Sequence, residues 1–277
     1  MKVPEMLPST HRPFDVLAFE AELSARDTRL GRPCHYHAVT GSTNDDLMQL
    51  AREGAPHGTV VVADLQTRGR GRHGNTWSSP EAAENLLFSV LLRPRFALES
   101  ASSFTLAVGL AVRDAVAPYV RASVGIKWTN DVYANHRKLA GILVESQLRG
   151  SELIALVVGI GLNVQMSVLP DEIRTIATSL RLLEATELGR ERILADVLAR
   201  LEVRTSAYEQ SQIAGIIDEL RRHDAILGQR VRVGSLVGVA CGLDDDGALL
   251  LQTEDAKEPI RLTTGLVEVM SNHDADR

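Results

Sequence analysis

The sequence has few aromatic residues and almost no cysteine. Phe, Trp and Tyr make up 4 % of the 277 residues, so the core has to be built from Leu, Val, Ile and Ala. Cys34 and Cys241 are the two cysteines. They lie far apart and lack the spacing of metal ligands, so we expect two reduced thiols. The sequence also lacks an apolar run of transmembrane length and the apolar segment of a signal peptide. We therefore expect a soluble, cytoplasmic protein without a membrane partner.

The sequence also lacks a positive charge balance. It carries 30 Lys and Arg against 36 Asp and Glu, for a net charge of −6. This balance argues against a general nucleic-acid binder, although a local basic patch can still exist. The eight histidines show no ligand spacing along the chain, so we expect no metal site.

The patterning predicts two folded units. Residues 33–222 alternate between apolar strands and helical stretches, with helices expected at 104–119 and over parts of 171–222. From Leu227 the sequence is rich in Val and Leu, and Gly and Asp interrupt it repeatedly. The segment "DDDG" between apolar runs predicts a hairpin. We predict an α+β domain over 33–222 with a mixed sheet and flanking helices, and a small β-barrel of about five strands over 226–270. Residues 1–32 would form an extension with a short helix, and 271–277 a tail.

The segment "QTRGRGRHGNTWSSP", residues 66–80, places arginines on a glycine-rich backbone. Glycines let backbone N–H groups approach a ligand, and each guanidinium offers a planar fork that matches phosphate or carboxylate. A loop of this kind is costly to order, which favours a lid that an anion fixes in place. Two alternatives are a solvated surface loop with incidental charge and an RNA-binding tract, although such tracts repeat and this one occurs once.

A second polar segment is "KWTNDVYANHRKLAGILVE". We expect two strands joined by a turn around Asn135 and His136, with Lys127 and Asp131 on one face of the first strand. These two residues could be a surface ion pair. Alternatively, Asp131 and Lys138 could converge as an acid/base or anion-binding pair. The motifs "GSTND" and "GIGLN" are weak alone, since their polar residues are also typical of a helix cap and a turn.

Taken in order, "GSTND", "QTRGRGRHGNTWSSP", "KWTNDVY", "RKLAGILVE" and "GIGLNV" resemble the biotin protein ligase family. The resemblance runs from about His35 to Leu180 and resumes at "LGQRVRV". It implies a catalytic domain of the class II synthetase-like, biotin/lipoate ligase fold and a C-terminal SH3-like barrel. It also implies that biotin and MgATP give biotinyl-5′-AMP and pyrophosphate, and that biotin passes to a lysine of a biotin carboxyl carrier domain.

The resemblance assigns site residues by motif position. Lys138, Arg72 and Asp131 are expected to be catalytic. The residues expected at biotin are Ser42, Thr43, Asn44, Gln66, Arg70, Gly71, Arg72, Trp77, Lys138 and Gly141. Those expected at ATP are Arg70, Arg72, Lys127, Asn130, Lys138 and Asn163.

The sequence departs from the family pattern in two places. Thr129 stands where family members often have proline, which relaxes the backbone φ angle, and we expect little functional consequence. Only about 40 residues precede "GSTND", which is too few for the winged helix-turn-helix domain of bifunctional members. We therefore expect a monofunctional ligase, a monomer or weak homodimer, without repressor activity. Lipoate–protein ligase is the enzymatic alternative.

Overall fold

A computed structural model of the chain describes residues 11–77 and 81–270. The first ten residues, residues 78–80 and the predicted tail at 271–277 lie outside the described part. Within it, no helix is long and apolar enough to cross a membrane.

A mixed seven-stranded sheet forms the larger unit, as the sequence predicts, in the order β1-β2-β3-β7-β6-β5-β4. Its strands are β1 (Cys34–Thr40), β2 (Val60–Gln66), β3 (Leu86–Leu92), β4 (Val124–Lys127), β5 (Asp131–Ala134), β6 (Arg137–Arg149) and β7 (Glu152–Leu162). β1 and β2 pair in parallel and the other neighbours are antiparallel. Since parallel strands need a crossover, the chain passes through a helix between β1 and β2.

Helices cover both faces of this sheet. They are α1 (Val16–Ser24), α2 (Thr43–Arg52), α3 (Ala101–Val116), α4 (Arg190–Ser211) and α5 (Ile217–Arg222). Successive residues of β2 point to opposite faces of the sheet. Val60 and Val62 pack in the large core with α1, α3 and α4, whereas Val61 packs on the other face against Leu47 of α2. The glycines and polar groups described below lie on the α2 face.

The predicted two-strand arrangement of "VGIKWTNDVYANHRKLAGILVES" is wrong, because the segment forms three strands, β4, β5 and β6. β4 ends at Lys127 and β5 begins at Asp131, and these residues are cross-strand partners joined by a tight turn. Alternation along one strand therefore does not bring Lys127 and Asp131 together. A hairpin does, and the turn at Asn135 and His136 then leads from β5 into β6.

The helical expectation for 171–222 holds for α4 and α5 but is wrong for 171–189, which forms turns. Within this stretch, backbone bonds close isolated turns, such as Ala177 N–H to the Ile173 carbonyl at 2.8 Å, and other backbone groups bond to distant segments. Leu180 and Arg181 N–H donate to the Asn163 and Val164 carbonyls, at 3.1 and 2.9 Å. Long-range backbone pairing therefore interrupts the continuous run of i to i−4 bonds that a helix needs.

The second sheet has five antiparallel strands in the order β11-β10-β9-β8-β12. They are β8 (Arg230–Val233), β9 (Leu236–Leu243), β10 (Leu249–Gln252), β11 (Ile260–Leu262) and β12 (Val267–Val269). The predicted hairpin at "DDDG" is confirmed as the β9–β10 connection. The sheet fits the predicted SH3-like barrel, and it touches the larger unit where Trp128 Nε1 donates to the Gly247 carbonyl at 3.0 Å.

The N-terminal helix is part of the core. Phe14, Phe19 and Leu23 are buried in the same apolar cluster as the large sheet. Arg190, at the start of α4, forms a buried ion pair with Asp64 of β2 at 2.7 Å. Its guanidinium also donates to the Arg12 carbonyl at 2.8 Å, which fixes the N-terminal segment against the sheet.

Candidate active site

A single open cavity collects most of the predicted site residues. It lies between the segment 66–77, the first turn of α2 and the ends of β5, β6 and β7, on the α2 face of the sheet. Its lining consists of Ser42, Thr43, Asn44, Gln66, Arg70, Gly71, Arg72, Asn75, Thr76, Trp77, Asn130, Asp131, Lys138, Gly141, Ile142, Leu143, Gly159, Ile160, Gly161 and Leu266.

One end of the cavity carries a network of polar side chains. Asn44 Nδ2 donates to the Leu143 carbonyl at 3.3 Å and to Glu145 Oε2 at 2.7 Å, so both of its N–H groups are used. Ser89 Oγ donates to Asn44 Oδ1 at 2.5 Å and lies 2.7 Å from Thr43 Oγ1. The Asn44 amide is thereby fixed in one orientation, with spare hydrogen-bonding capacity only at its oxygen. This end can recognise a ligand N–H group.

Residues 42–44 do more than start a helix. Ser42 occupies the N-cap of α2 but makes no capping hydrogen bond with its side chain. The Thr43 backbone N–H donates to Gln66 Oε1 at 2.8 Å. All three side chains of the Ser-Thr-Asn run are buried, although helix caps usually face solvent. Their burial and their bonds inside the cavity go beyond what a helix cap requires.

The glycine- and arginine-rich segment folds into a short hairpin over the cavity. Trp77 N–H donates to the Gly69 carbonyl at 3.0 Å, and Gly71 N–H donates to the Asn75 carbonyl at 2.7 Å. At its base, Arg68 N–H donates to the Gly41 carbonyl at 2.9 Å. These bonds place Arg70, Arg72 and Trp77 toward the sheet.

Trp77 rests on glycines of the two central strands. A Cβ added at Gly161 would lie 2.4 Å from the indole Cε2, and one added at Gly141 would lie 2.8 Å from Cζ3. No other residue type leaves room for the ring in this position. The indole Nε1 is buried and donates to no acceptor among residues 11–77 and 81–270. Since buried donors are normally paired, this N–H is a candidate contact for a ligand.

A third glycine on the same face makes room for the polar end of the cavity. A Cβ at Gly159 would lie 2.1 Å from Asn44 Oδ1. Gly159 and Gly161 alternate along β7, so both point to the cavity while Ile160 between them points to the core. The two glycines of the motif "GIGLN" are therefore required by the side chains that lie on them, Asn44 on Gly159 and Trp77 on Gly161.

Cations gather at the other end of the cavity. Asp131 lies between two lysines, 2.8 Å from Lys138 Nζ and 3.4 Å from Lys127 Nζ. Arg72 reaches the same turn and donates to Thr129 Oγ1. Burial lowers the pKa of both Arg72 and Lys127, and the nearby Asp131 partly opposes this shift. Three cations around one carboxylate leave an excess of positive charge, which favours a polyanion.

Two of the predicted nucleotide residues do not line the cavity. Lys127 is 6 % exposed and lies behind Asp131, which it contacts. Asn163 is 5 % exposed, and its Nδ2 donates to the Thr178 carbonyl at 2.9 Å. All the other predicted site residues line the cavity, Asn130 among them. Direct contact of Lys127 or Asn163 with a nucleotide stays a prediction.

Several functional positions were missed from the sequence. Ser89 and Glu145 complete the polar network. Ser89 is the one polar residue of β3, which is a signal that could have found it, whereas Glu145 lies beside other polar residues of β6 and gives no such signal. The histidine spacing gave no metal set. In the described part of the chain His11, Glu81 and Glu84 nevertheless have potential ligand atoms within 4.8 Å of one another, outside the cavity lining.

Comparison with known proteins agrees with this geometry. Residues 36–163 match the Biotin/lipoate A/B protein ligase family, and residues 226–265 match the Biotin protein ligase C terminal domain. The biotin–[acetyl-CoA-carboxylase] ligase of Mycobacterium tuberculosis is 37 % identical over 246 residues, which are 83 % of this chain and 89 % of that protein. The bifunctional ligase/repressor BirA of Bacillus subtilis is 34 % identical over 237 residues, 83 % of this chain and 73 % of that protein.

The fold matches solved structures as well. The biotin protein ligase from Aquifex aeolicus in complex with biotin and ATP superposes with a TM-score of 0.73 at 30 % identity. The match covers 86 % of this chain and 99 % of that one. Sequence, fold and the described cavity lead to the same assignment, and the chain belongs to the biotin protein ligase family.

Proposed function

We propose that the chain activates biotin with MgATP to biotinyl-5′-AMP, releasing pyrophosphate, and then transfers biotin to a lysine of a biotin carboxyl carrier domain. The observation that carries this proposal is one cavity with a polar end, where the Ser-Thr-Asn run at 42–44 is uncharged, and a cationic end, joined by the surface of Trp77. An acyl-adenylate of biotin has the matching parts, a ureido ring, an aliphatic chain and a phosphate.

The polar end is proposed to bind the ureido head group. The Asn44 oxygen can accept a hydrogen bond from a ring N–H, because both of its own N–H groups are already used. The Trp77 indole and Leu143, which is paired with the cavity-facing Gly159, offer apolar surface for the aliphatic chain. Neutral hydrogen-bonding groups suit an uncharged head group better than the charged groups at the other end.

The cationic end is proposed to hold the carboxylate of biotin and the α-phosphate of ATP. Attack of a carboxylate oxygen on the α-phosphorus forms the acyl–phosphate bond, breaks the bond to the β-phosphate and releases pyrophosphate. Negative charge builds on the phosphate oxygens, and Arg72 and Lys138 are placed to stabilise it. Because the ammonium of Lys138 is fixed by Asp131 at 2.8 Å, little reorganisation is needed during the reaction.

Mg²⁺ is expected to arrive with ATP as part of the co-substrate. Among the described residues that line the cavity, Asp131 is the one carboxylate, and two lysines already neutralise it. The protein side of the phosphate site therefore consists of cations, and the phosphate oxygens would supply ligands to the ion.

In the second step, the amine of the carrier lysine attacks the acyl carbon and AMP leaves. The amine must lose a proton, and the carboxylate of Asp131 is the proposed acceptor beside the cationic end. The hairpin over the cavity would exclude water from the mixed anhydride until the amine arrives. The absence of a repressor function, a cytoplasmic location and a monomeric or weakly dimeric state stay predictions.

The test is incubation of the chain with biotin, MgATP and a biotin carboxyl carrier domain, followed by mass measurement of the carrier. We expect the mass of one biotinyl group to be added, and isotopic exchange between pyrophosphate and ATP that depends on biotin. Exchange with lipoate instead of biotin would identify a lipoate ligase, and exchange with neither acid would overturn the proposal.

A further inference from the structure

Arg70 differs from the other cations of the cavity because two carboxylates engage its guanidinium. Nη1 and Nη2 donate to the two oxygens of Glu145 at 2.9 and 2.8 Å, which is a two-pronged fork. Nη2 also donates to Asp45 Oδ1 at 2.6 Å. One positive charge therefore faces two negative charges, and little attraction is left for a phosphate or a carboxylate of a ligand.

The carboxylate of Glu145 links two parts of the site. One of its oxygens accepts from Arg70 of the hairpin and also from Asn44 Nδ2 at 2.7 Å. Glu145 lies on β6, in the sheet, whereas Arg70 is in the hairpin and Asn44 is on α2. The orientation of the Asn44 amide and the closed position of the hairpin thus depend on the same side chain.

We infer that Glu145 is a positioning residue, which holds the hairpin closed through Arg70 and orients Asn44 toward the head group. Arg70 is then an anchor of the hairpin and not a cation that binds phosphate, in contrast to Arg72. The inference rests on the proposed function, and it predicts that losing either side of the Glu145–Arg70 fork has the same effect, namely weaker binding at the polar end and a less firmly closed hairpin.

The experiment measures biotin-dependent pyrophosphate exchange for the wild-type chain, for Glu145→Gln, for Arg70→Met and for the double variant. Because the fork is a charge-assisted pair at a partly exposed position, we expect the KM for biotin to rise about tenfold in each single variant. Any change in kcat or in the KM for ATP should agree within about twofold between the two single variants, because both release the same hairpin, which also carries Arg72. The double variant should be no worse than Glu145→Gln, since both changes break the same link.

A matched control is Glu254→Gln, which removes the carboxylate of an exposed Arg–Glu pair on the C-terminal sheet. The KM for biotin, the KM for ATP and kcat should all be unaltered in this variant. Trypsin provides a second readout, because a released hairpin should be cut faster at its arginines in Glu145→Gln than in wild type, and saturating biotin should slow the cleavage.

Two results would overturn the inference. One is an unaltered KM for biotin in Glu145→Gln. The other is a KM for ATP that rises, or a kcat that falls, clearly further in Arg70→Met than in Glu145→Gln, which would make Arg70 a phosphate ligand. If the wild-type chain showed no biotin-dependent pyrophosphate exchange, the proposed function itself would be overturned, and this inference with it.

Discussion

Gly161→Ala tests whether the indole of Trp77 has to lie on the sheet. The added Cβ would stand 2.4 Å from Cε2 and 2.6 Å from Cζ2, whereas ordinary carbon contacts need about 3.5 Å. The ring therefore has to move by about 1 Å. It cannot slide along the sheet, because Gly141 on the next strand already lies against its other edge. The movement has to be outward, and it carries the hairpin with it.

The expected cost of this displacement is that of an overpacked site, about 1–3 kcal/mol. If the cost falls on the closed, ligand-bound hairpin, the affinity for biotin drops about 5- to 150-fold. Calorimetric titration of biotin measures it directly. The stability of the chain should change little, because β7 keeps its backbone pairing with β3 and β6.

The control for Gly161→Ala is the same substitution in a Trp77→Leu background. A smaller, flexible side chain at residue 77 can yield to the new methyl group, so the additional loss of biotin affinity should be less than about threefold. Unchanged affinity in the single variant would refute the argument. So would an equal loss in both backgrounds, since the indole would then not be what transmits the clash.

Three further predictions concern charged groups. Lys138→Ala should lower kcat for biotin-dependent pyrophosphate exchange about 10²- to 10³-fold, because a fixed cation is lost at the developing phosphate charge; a wild-type kcat would contradict that role. Arg190→Met should lower the free energy of unfolding in urea by about 3–5 kcal/mol, because it leaves the buried carboxylate of Asp64 without its cation. Adding Asp64→Asn should recover part of this loss. Burial, and then repulsion from a neighbouring acidic residue, raises the pKa of Glu84 to about 7. The free energy of unfolding of the wild type should therefore fall as the pH rises from about 5 to 8. Glu84→Gln should remove about 2–3 kcal/mol of that loss. Parallel plots of stability against pH for the two proteins would show that Glu84 is not its cause.

The sequence predicts the site better than it predicts the backbone around it. The motif order identifies the family, and the comparisons confirm that assignment. Almost every residue expected at the ligands lines one cavity, although their individual roles stay predictions. The alternation of glycine with arginine was also informative, because it marks a segment that approaches something closely.

Local patterns failed where long-range pairing decides the structure. A single strand and a tight hairpin both place Lys127 and Asp131 on one face, and periodicity alone cannot separate them, although the hairpin alone brings the two side chains into contact. Residues 171–189 have helical periodicity, yet their backbone groups pair with β6 and with residues that follow β7. The role of Gly161 is invisible in the sequence, because it depends on a tryptophan 84 positions away that lies on the same face.

The most direct test of the account is a structure of the chain with bound biotinyl-5′-AMP. The account predicts the ureido ring at Asn44, the phosphate within about 3 Å of Arg72 and Lys138, and the hairpin at 66–77 closed over the ligand. A phosphate that lies away from both Arg72 and Lys138, with the hairpin turned away from the bound biotinyl-5′-AMP, would contradict the account.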